Sequence, residues 1–392
     1  MSAFIIKVKT DNTGTSNNDQ FTLPGNSSYS YNFDVDWGDG SPVETINSGS
    51  SWTHTFTGGV GTYSVEITEN VAGGFPTIYF NNGGDRLKLL EIEQWGTNRW
   101  DTFNGAFFGC SNLTITATDE ATADTGGVTN FAYAWVNCSS LTSFPLIDTS
   151  SGTNFYAAWY NCSSLTSFPL IGTSSGTNFA YAWFNCSSLT SFPLIDTSSG
   201  TNFFRAWYDC SSLTSFPLID MSSGTNFRGA WYNCSSLTSF PLIDTSSGTD
   251  FYQAWYDCSS LTSFPLIDMS SGTNFSYAWY NCSSLTSFPT LDFRSMSNGA
   301  NTFLSVTLDT ASYDAILEKS FLNNTNNGVT FHGGNSTYFK RGKKQRDILT
   351  AAPRNWTITD GGYDATHVYP DWKQSIVPQL LMRRRRLSGG LV

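Results

Sequence analysis

Seven cysteines fix the register of this chain. Cys138, Cys162, Cys186, Cys210, Cys234, Cys258 and Cys282 follow one another at 24-residue intervals, and Cys110 lies 28 residues ahead of the first. The unit around each is almost verbatim: Asn154-Phe155-Tyr156-Ala157-Ala158-Trp159-Tyr160-Asn161-Cys162-Ser163-Ser164-Leu165-Thr166-Ser167-Phe168-Pro169-Leu170-Ile171, then Gly172-Thr173-Ser174-Ser175-Gly176-Thr177. A unit this short cannot bury its own apolar edge, so the copies must stack on one another to make a core. At a spacing of about 4.8 Å, eight coils make a slab roughly 40 Å long.

The period lies within the range of leucine-rich repeats, roughly 20–29 residues. Leu165, Phe168 and Leu170 follow L-x-x-L-x-L and are expected to point inward from a short strand. Phe155, Trp159 and Cys162 are expected to point inward from a helical or 3₁₀ stretch opposite. The cysteines then stack as buried free thiols, the usual state of an apolar cysteine row. Pro145, Pro169, Pro193 and their equivalents strain the pattern, because proline cannot donate a ladder hydrogen bond. By alternation, Pro145, Ile147, Pro169, Ile171, Pro193 and Ile195 are expected to face outward as an apolar packing or assembly stripe. On that reading, Asp at Ile147, Ile195 and Ile243 abolishes association. The opposite side carries the variable positions: Tyr133, Tyr156, Tyr181, Phe204, Arg205, Arg228, Tyr252 and Tyr277. Aromatic and Arg side chains suit recognition.

Composition agrees with a mainly β chain: 16% of the 392 residues are aromatic and only 13% are charged. Strand and turn formers dominate over helix formers. The expected organisation is an N-terminal β-sandwich over residues 1–85, a solenoid of 24-residue coils over 86–292, a small α/β cap over 293–362 and a basic tail over 363–392. A helix is expected over about 311–322, capped by Thr310, and a second one including Arg346 to Leu349.

The repeat resembles that of the BspA-like leucine-rich-repeat surface proteins, in the branch with C-S-S-L-T-S units, over residues about 86–292. Leu87 to Gly96 looks like that family's leading segment. Val329 to Ser336, with Trp356 to Gly362, looks like its terminal cap. The resemblance implies adhesion or surface display, and similar sequences occur in phage. Phe33-Asp34-Val35-Asp36-Trp37-Gly38-Asp39-Gly40-Ser41, Thr53 to Phe56 and Gly61 to Ile67 are similar to PKD-type β-sandwich domains. Asp34, Asp36 and Asp39 there are a candidate Ca²⁺ set, since closely spaced carboxylates suit a hard cation. The alternative is a polar hairpin turn.

Charge is divided along the chain. Residues 1–339 hold 9 Lys/Arg against 27 Asp/Glu, a balance of -18; residues 340–392 hold 11 against 4, a balance of +7. Arg383, Arg384, Arg385 and Arg386 are the candidate anchor of a tail that docks on a partner. No secretory signal pattern and no membrane-spanning run is present. Nucleophile elbows, zinc-protease helices, P-loops and dinucleotide fingerprints are all missing, so neither catalysis nor a cofactor is expected. Nucleic acid is not an expected partner. The function expected is a virion-associated fibre, decoration or receptor-binding protein, partnered by other structural proteins, a host receptor or a glycan, with self-association possible. A bacterial cell-surface adhesin and a polysaccharide-binding accessory module are the alternatives.

Overall fold

The computed structural model describes residues 2–367, in which strands outnumber helices and no sheet closes into a barrel. Alternation builds the first strands: β1 (Phe4–Lys9) buries Phe4, Ile6 and Val8 on one face. β2 is Gln20–Pro24, β3 Phe33–Asp36, β4 Glu44–Ile46, β5 Ser51–Thr55 and β6 Thr62–Glu69. β7 (Leu89–Gln94) and β8 (Thr114–Ile115) complete a six-stranded sheet in the order β4-β3-β6-β1-β7-β8. β2 and β5 pair separately, and Phe33 on β3 meets Trp52 on β5 with ring centroids 5.1 Å apart. β7 pairs antiparallel with β1 and parallel with β8, so one sheet contains strands from both sides of residues 85 and 86.

Asp85 ties this region together. Its buried carboxylate accepts from the Thr15, Ser16 and Thr22 backbone N–H groups and from Ser16 Oγ. Burial pushes the carboxyl up, but the bonds from Ser16 and Thr22 and the charge of Lys88 outweigh it and hold the pKa below the ordinary value. A depressed folded-state pKa contributes stability above the unfolded value, near 3.8, that is lost as pH falls through the folded value. Asp85→Asn is therefore expected to flatten the acid limb of a urea-stability profile below about pH 4. An unchanged limb would contradict this role.

Beyond β8 the sheet fades. Thr166 N still donates to Thr142 O at 3.1 Å and Thr190 N to Thr166 O at 3.2 Å, but the residues after them form no strand. Pro145, Pro169 and their equivalents remove the donor that would carry the ladder on.

The main ladder runs instead through the segment expected to be helical. Phe155 N donates to Asn178 O at 2.9 Å, Ala157 N to Ala180 O at 2.9 Å, Trp159 N to Ala182 O at 2.9 Å and Asn161 N to Phe184 O at 2.7 Å. Two four-residue turns alternate with these bonds: Ala158 N donates to Phe155 O at 3.1 Å and Cys162 N to Trp159 O at 3.3 Å. Their third residues, Ala157 and Asn161, have φ of 51° and 63°. Helix-like spacing of Phe155, Ala158, Trp159 and Cys162 thus arises without a helix. A left-handed residue in each turn redirects alternate N–H groups to the next unit.

Each unit buries its Phe, Trp, Cys and Leu side chains in rows. Trp135, Trp159 and Trp183 stack at 5.9 and 5.4 Å, nearly parallel. The thiol of Cys162 donates to Trp135 O at 3.1 Å, and burial raises its pKa well above that of a free thiol. All eight cysteines are free and buried. Gly176 must lack a side chain, because a Cβ there would lie 2.5 Å from Phe179 Cζ.

The far end of the stack is covered by residues 293–362. Phe303 stacks on Trp279 at 5.3 Å, and Phe331 closes over Phe303. Asn324 Nδ2 donates to Phe293 O and Met296 O, both at 2.8 Å. β9 (Thr330–His332) and β10 (Thr357–Thr359) form a parallel pair, and α2 (Lys340–Thr350) includes the expected second helix. The helix expected over 311–322 is shorter. α1 spans Thr310–Ala315 and widens into a π-type turn over Ile316–Ser320. Asp309 rather than Thr310 caps it, accepting from Ser312 N at 2.7 Å. The Thr310 hydroxyl is bonded to that of Thr337 at 2.9 Å.

Candidate binding face

The tandem turns decide which side chains leave the core. Within Phe155–Cys162, Phe155, Ala158, Trp159 and Cys162 go in, and Tyr156 and Tyr160 go out. Ala157 occupies the left-handed corner between them. Stacking 24-residue units turns each position into a row.

The Tyr160 row is a continuous pile of rings. Tyr160, Phe184, Tyr208, Tyr232, Tyr256 and Tyr280 stack with centroids 4.5, 4.6, 4.2, 4.5 and 4.4 Å apart, within 12° of parallel. Ring faces are therefore covered by neighbouring rings, and edges and hydroxyls face outward. Burial pushes the pKa of Tyr160, Tyr208, Tyr232 and Tyr256 up, so their phenols stay protonated donors at neutral pH. This row was not among the residues expected to bind. Its signal was the position itself, two residues before each Cys and between a buried Trp and a turn Asn. A row that hardly changes between units reads as core when only sequence variation is followed.

The Ala157 row is strained. Tyr133, Tyr181 and Tyr277 have φ of 58°, Gln253 57° and Arg205 52°; between Tyr133 and Tyr277 only Gly229 has the residue type that the conformation favours. A left-handed L-residue costs roughly 1–2 kcal/mol. Such outliers gather at functional sites, because the surrounding structure must hold them. In the following turn the same conformation falls on Asn137, Asn161 and Asn185, or on Asp209 and Asp257, which tolerate it better. There Asn161 Nδ2 donates to Asn137 Oδ1 at 2.9 Å, giving the repeated Asn a structural role.

The expected recognition residues fall into two groups. Tyr133 meets Tyr156 edge-on at 5.1 Å, Tyr156 meets Tyr181 at 5.7 Å, and Tyr181 meets Phe204 at 4.9 Å. The Arg205 guanidinium lies over Phe204 and Tyr208, 5.3 and 5.1 Å from their centroids. Further along, Arg228 sits over Tyr252 at 4.1 Å, and Tyr252 meets Tyr277 at 6.0 Å. A cleft of about 320 Å³ opens among Phe108, Tyr133, Tyr156, Tyr160, Tyr181 and Arg205, where Val136 and Ala157 stand in place of larger neighbours.

The assembly stripe is corrected. Ile147, Ile171 and Ile195 are buried, 2–4% exposed, whereas Leu146, Leu170 and Leu194 are 56–64% exposed. Leu170, expected to point inward, points out. Pro145, Pro169 and Pro193 are half-buried. The cause is a tight turn after the proline: Ile171 N donates to Pro169 O at 3.1 Å, two residues back, as do Ile219 to Pro217 and Ile243 to Pro241. Such a turn breaks strand alternation by one residue.

The candidate Ca²⁺ set is also corrected. Asp34 Oδ1 accepts from Thr45 Oγ1 at 2.7 Å and Asn70 Nδ2 at 3.0 Å, and Asp36 accepts from Gly38 N at 2.9 Å. Asp39 accepts from Ser41 N and Thr57 N and contacts His54 Nε2. Each carboxylate is engaged by its own turn or strand, and no cluster of three metal-ligating side chains occurs among the described residues. The repeated aspartates likewise serve turns, as Asp148 Oδ1 accepts from Ser150 N at 2.9 Å. Arg383, Arg384, Arg385 and Arg386 lie outside the described residues. Among the described residues no helix is long and apolar enough to cross a membrane. Comparison with protein-family models, curated sequences and solved structures gives no match.

Proposed function

We propose that this chain is a non-catalytic binding protein whose ligand face is the aromatic ridge formed by Tyr133, Tyr156, Tyr160, Tyr181, Phe204 and Arg205. We read the stack as a leucine-rich-repeat solenoid of the BspA-like kind, with a PKD-type β-sandwich before it and an α/β cap after it. In that reading the chain is displayed on a larger assembly, a virion surface first and a bacterial cell surface second, and meets a host receptor or glycan. One observation carries the proposal: bulky Tyr and Arg residues occupy left-handed turn corners along a single face. Strain at these positions, together with a cleft lined by rings and phenols, supports recognition rather than packing.

Glycan-array binding by the purified chain tests the ligand class. Recognition of extended glycans is expected, and Tyr156→Ala with Tyr181→Ala should weaken it by at least about 2 kcal/mol, the scale of a hot spot. Undiminished binding by the double variant would remove the ridge from consideration. Immunogold labelling of particles then checks display: label on the particle surface is expected.

A further inference from the structure

A second face of the stack is apolar and regular. Leu146, Leu170, Leu194, Leu218, Leu242 and Leu266 are each 56–64% exposed, one per unit. The seventh equivalent is Thr290, so the stripe ends there. Five rungs at about 4.8 Å make it roughly 24 Å long. Contiguous apolar surface of this kind marks an interaction site on a soluble protein.

The rows beside it are ordered. Residues 166–172 cross this face in sequence, so exposed Ser167 and its equivalents lie on one side of the leucines. Exposed Asp196, Asp220, Asp244 and Asp268 lie on the other, and a shallow groove joins Leu242, Leu266, Asp244 and Asp268. An occupant must offer apolar groups at the rung spacing and hydrogen-bond donors, not carboxylates, opposite the acidic row.

We infer that the leucine stripe is a self-association surface whose occupant is the same face of a second copy of this chain. The second copy offers six leucines at an identical period, so the rungs of the two stripes can meet one to one. Orientation follows from charge. A two-fold axis parallel to the stack places each Asp row opposite the partner's Ser row, where hydroxyls donate to carboxylates. An axis across the stack would set Asp against Asp and is disfavoured by like-charge repulsion. A single row of six leucines is a small contact beside a standard interface of roughly 800 Å² per partner, so association is expected to be weak and dependent on concentration. This inference is independent of the aromatic face.

Sedimentation velocity of the full chain, from low to high micromolar concentration, tests it. The mass is expected to rise from 43.1 kDa toward twice that value. The variant Leu194→Asp with Leu218→Asp should stay monomeric, its dissociation constant raised more than about tenfold, while its circular dichroism and melting temperature match the parent. Leu194→Ser with Leu218→Ser gives a milder check on the same positions. A parent chain that stays monomeric throughout overturns the inference, and so does a leucine variant that dimerises like the parent. Changing Arg383, Arg384, Arg385 and Arg386 to Ala should leave the dimer intact. Loss of association there would assign the stripe to the basic tail and overturn the self-pairing.

Discussion

Trp207→Ala is expected to cost about 3–5 kcal/mol of unfolding free energy, the range of large-to-small changes at a buried Trp. Trp207 is fully buried near the middle of the stack. Its ring lies 5.3 Å from Trp183 and 5.8 Å from Trp231, both nearly parallel. Phe192 and Phe216 meet it edge-on at 5.3 and 4.9 Å. Phe203 lies 6.0 Å away, so alanine leaves a gap that five rings line, and the units above and below cannot close it without breaking their own ladder bonds. In a stack where each unit touches only its neighbours, that gap also uncouples the two halves. Urea denaturation followed by circular dichroism should therefore show an earlier, broader transition with two steps. Trp207→Phe is the control. The indole N–H of Trp207 has no acceptor among the described residues, so phenylalanine loses area but no hydrogen bond, and a cost below about 1.5 kcal/mol is expected. Equal losses for Ala and Phe would show that area does not explain the row.

Neighbouring residues give the second large effect. Ile195→Asp should destabilise by more than about 4 kcal/mol, because it puts a carboxylate into a site that has no partner for it. Ile195 is 2% exposed, whereas Leu194 is 64% exposed. Leu194→Asp should change monomer stability by no more than about 0.5 kcal/mol. The acid at position 195 would have a raised pKa, so the penalty is full above that pKa and shrinks as pH falls through it. Thermal melts of both variants at neutral and mildly acidic pH separate them. Strand alternation expects the reverse order, with Ile195 tolerant and Leu194 intolerant, so this pair tests the proline turn directly.

The stack carries both its stability and its surfaces in rows. One substitution in a unit is felt by two neighbours, while the outward positions are free to differ. Arg205, Gly229 and Gln253 occupy the same left-handed corner in successive units, and the core behind them is unchanged. Such a frame can hold a patterned face without redesigning what supports it.

Much of this was legible in the residues themselves. The 24-residue period required stacking, because no unit buries its apolar edge alone. Free, buried cysteines followed from their uniform inward position, and Gly, Asn and Asp marked the turns. Two helices in the terminal block were visible from their pattern, although the first stops early where its backbone widens after Ala315. Sequence alone could not decide between periods inside the unit. Phe155, Ala158, Trp159 and Cys162 have helical spacing, yet the Phe155 and Trp159 N–H groups bond the next unit, while those of Ala158 and Cys162 close four-residue turns. That choice belongs to the stack, since the alternative carbonyl acceptors exist only when another unit is present. Nor could sequence place Leu170 and Ile171. Both are apolar and adjacent, and a single bond from Ile171 N to Pro169 O turns one out and the other in. The repeat determined that the chain must build a layered core; the backbone turns decided which rows line it and which are left on the surface.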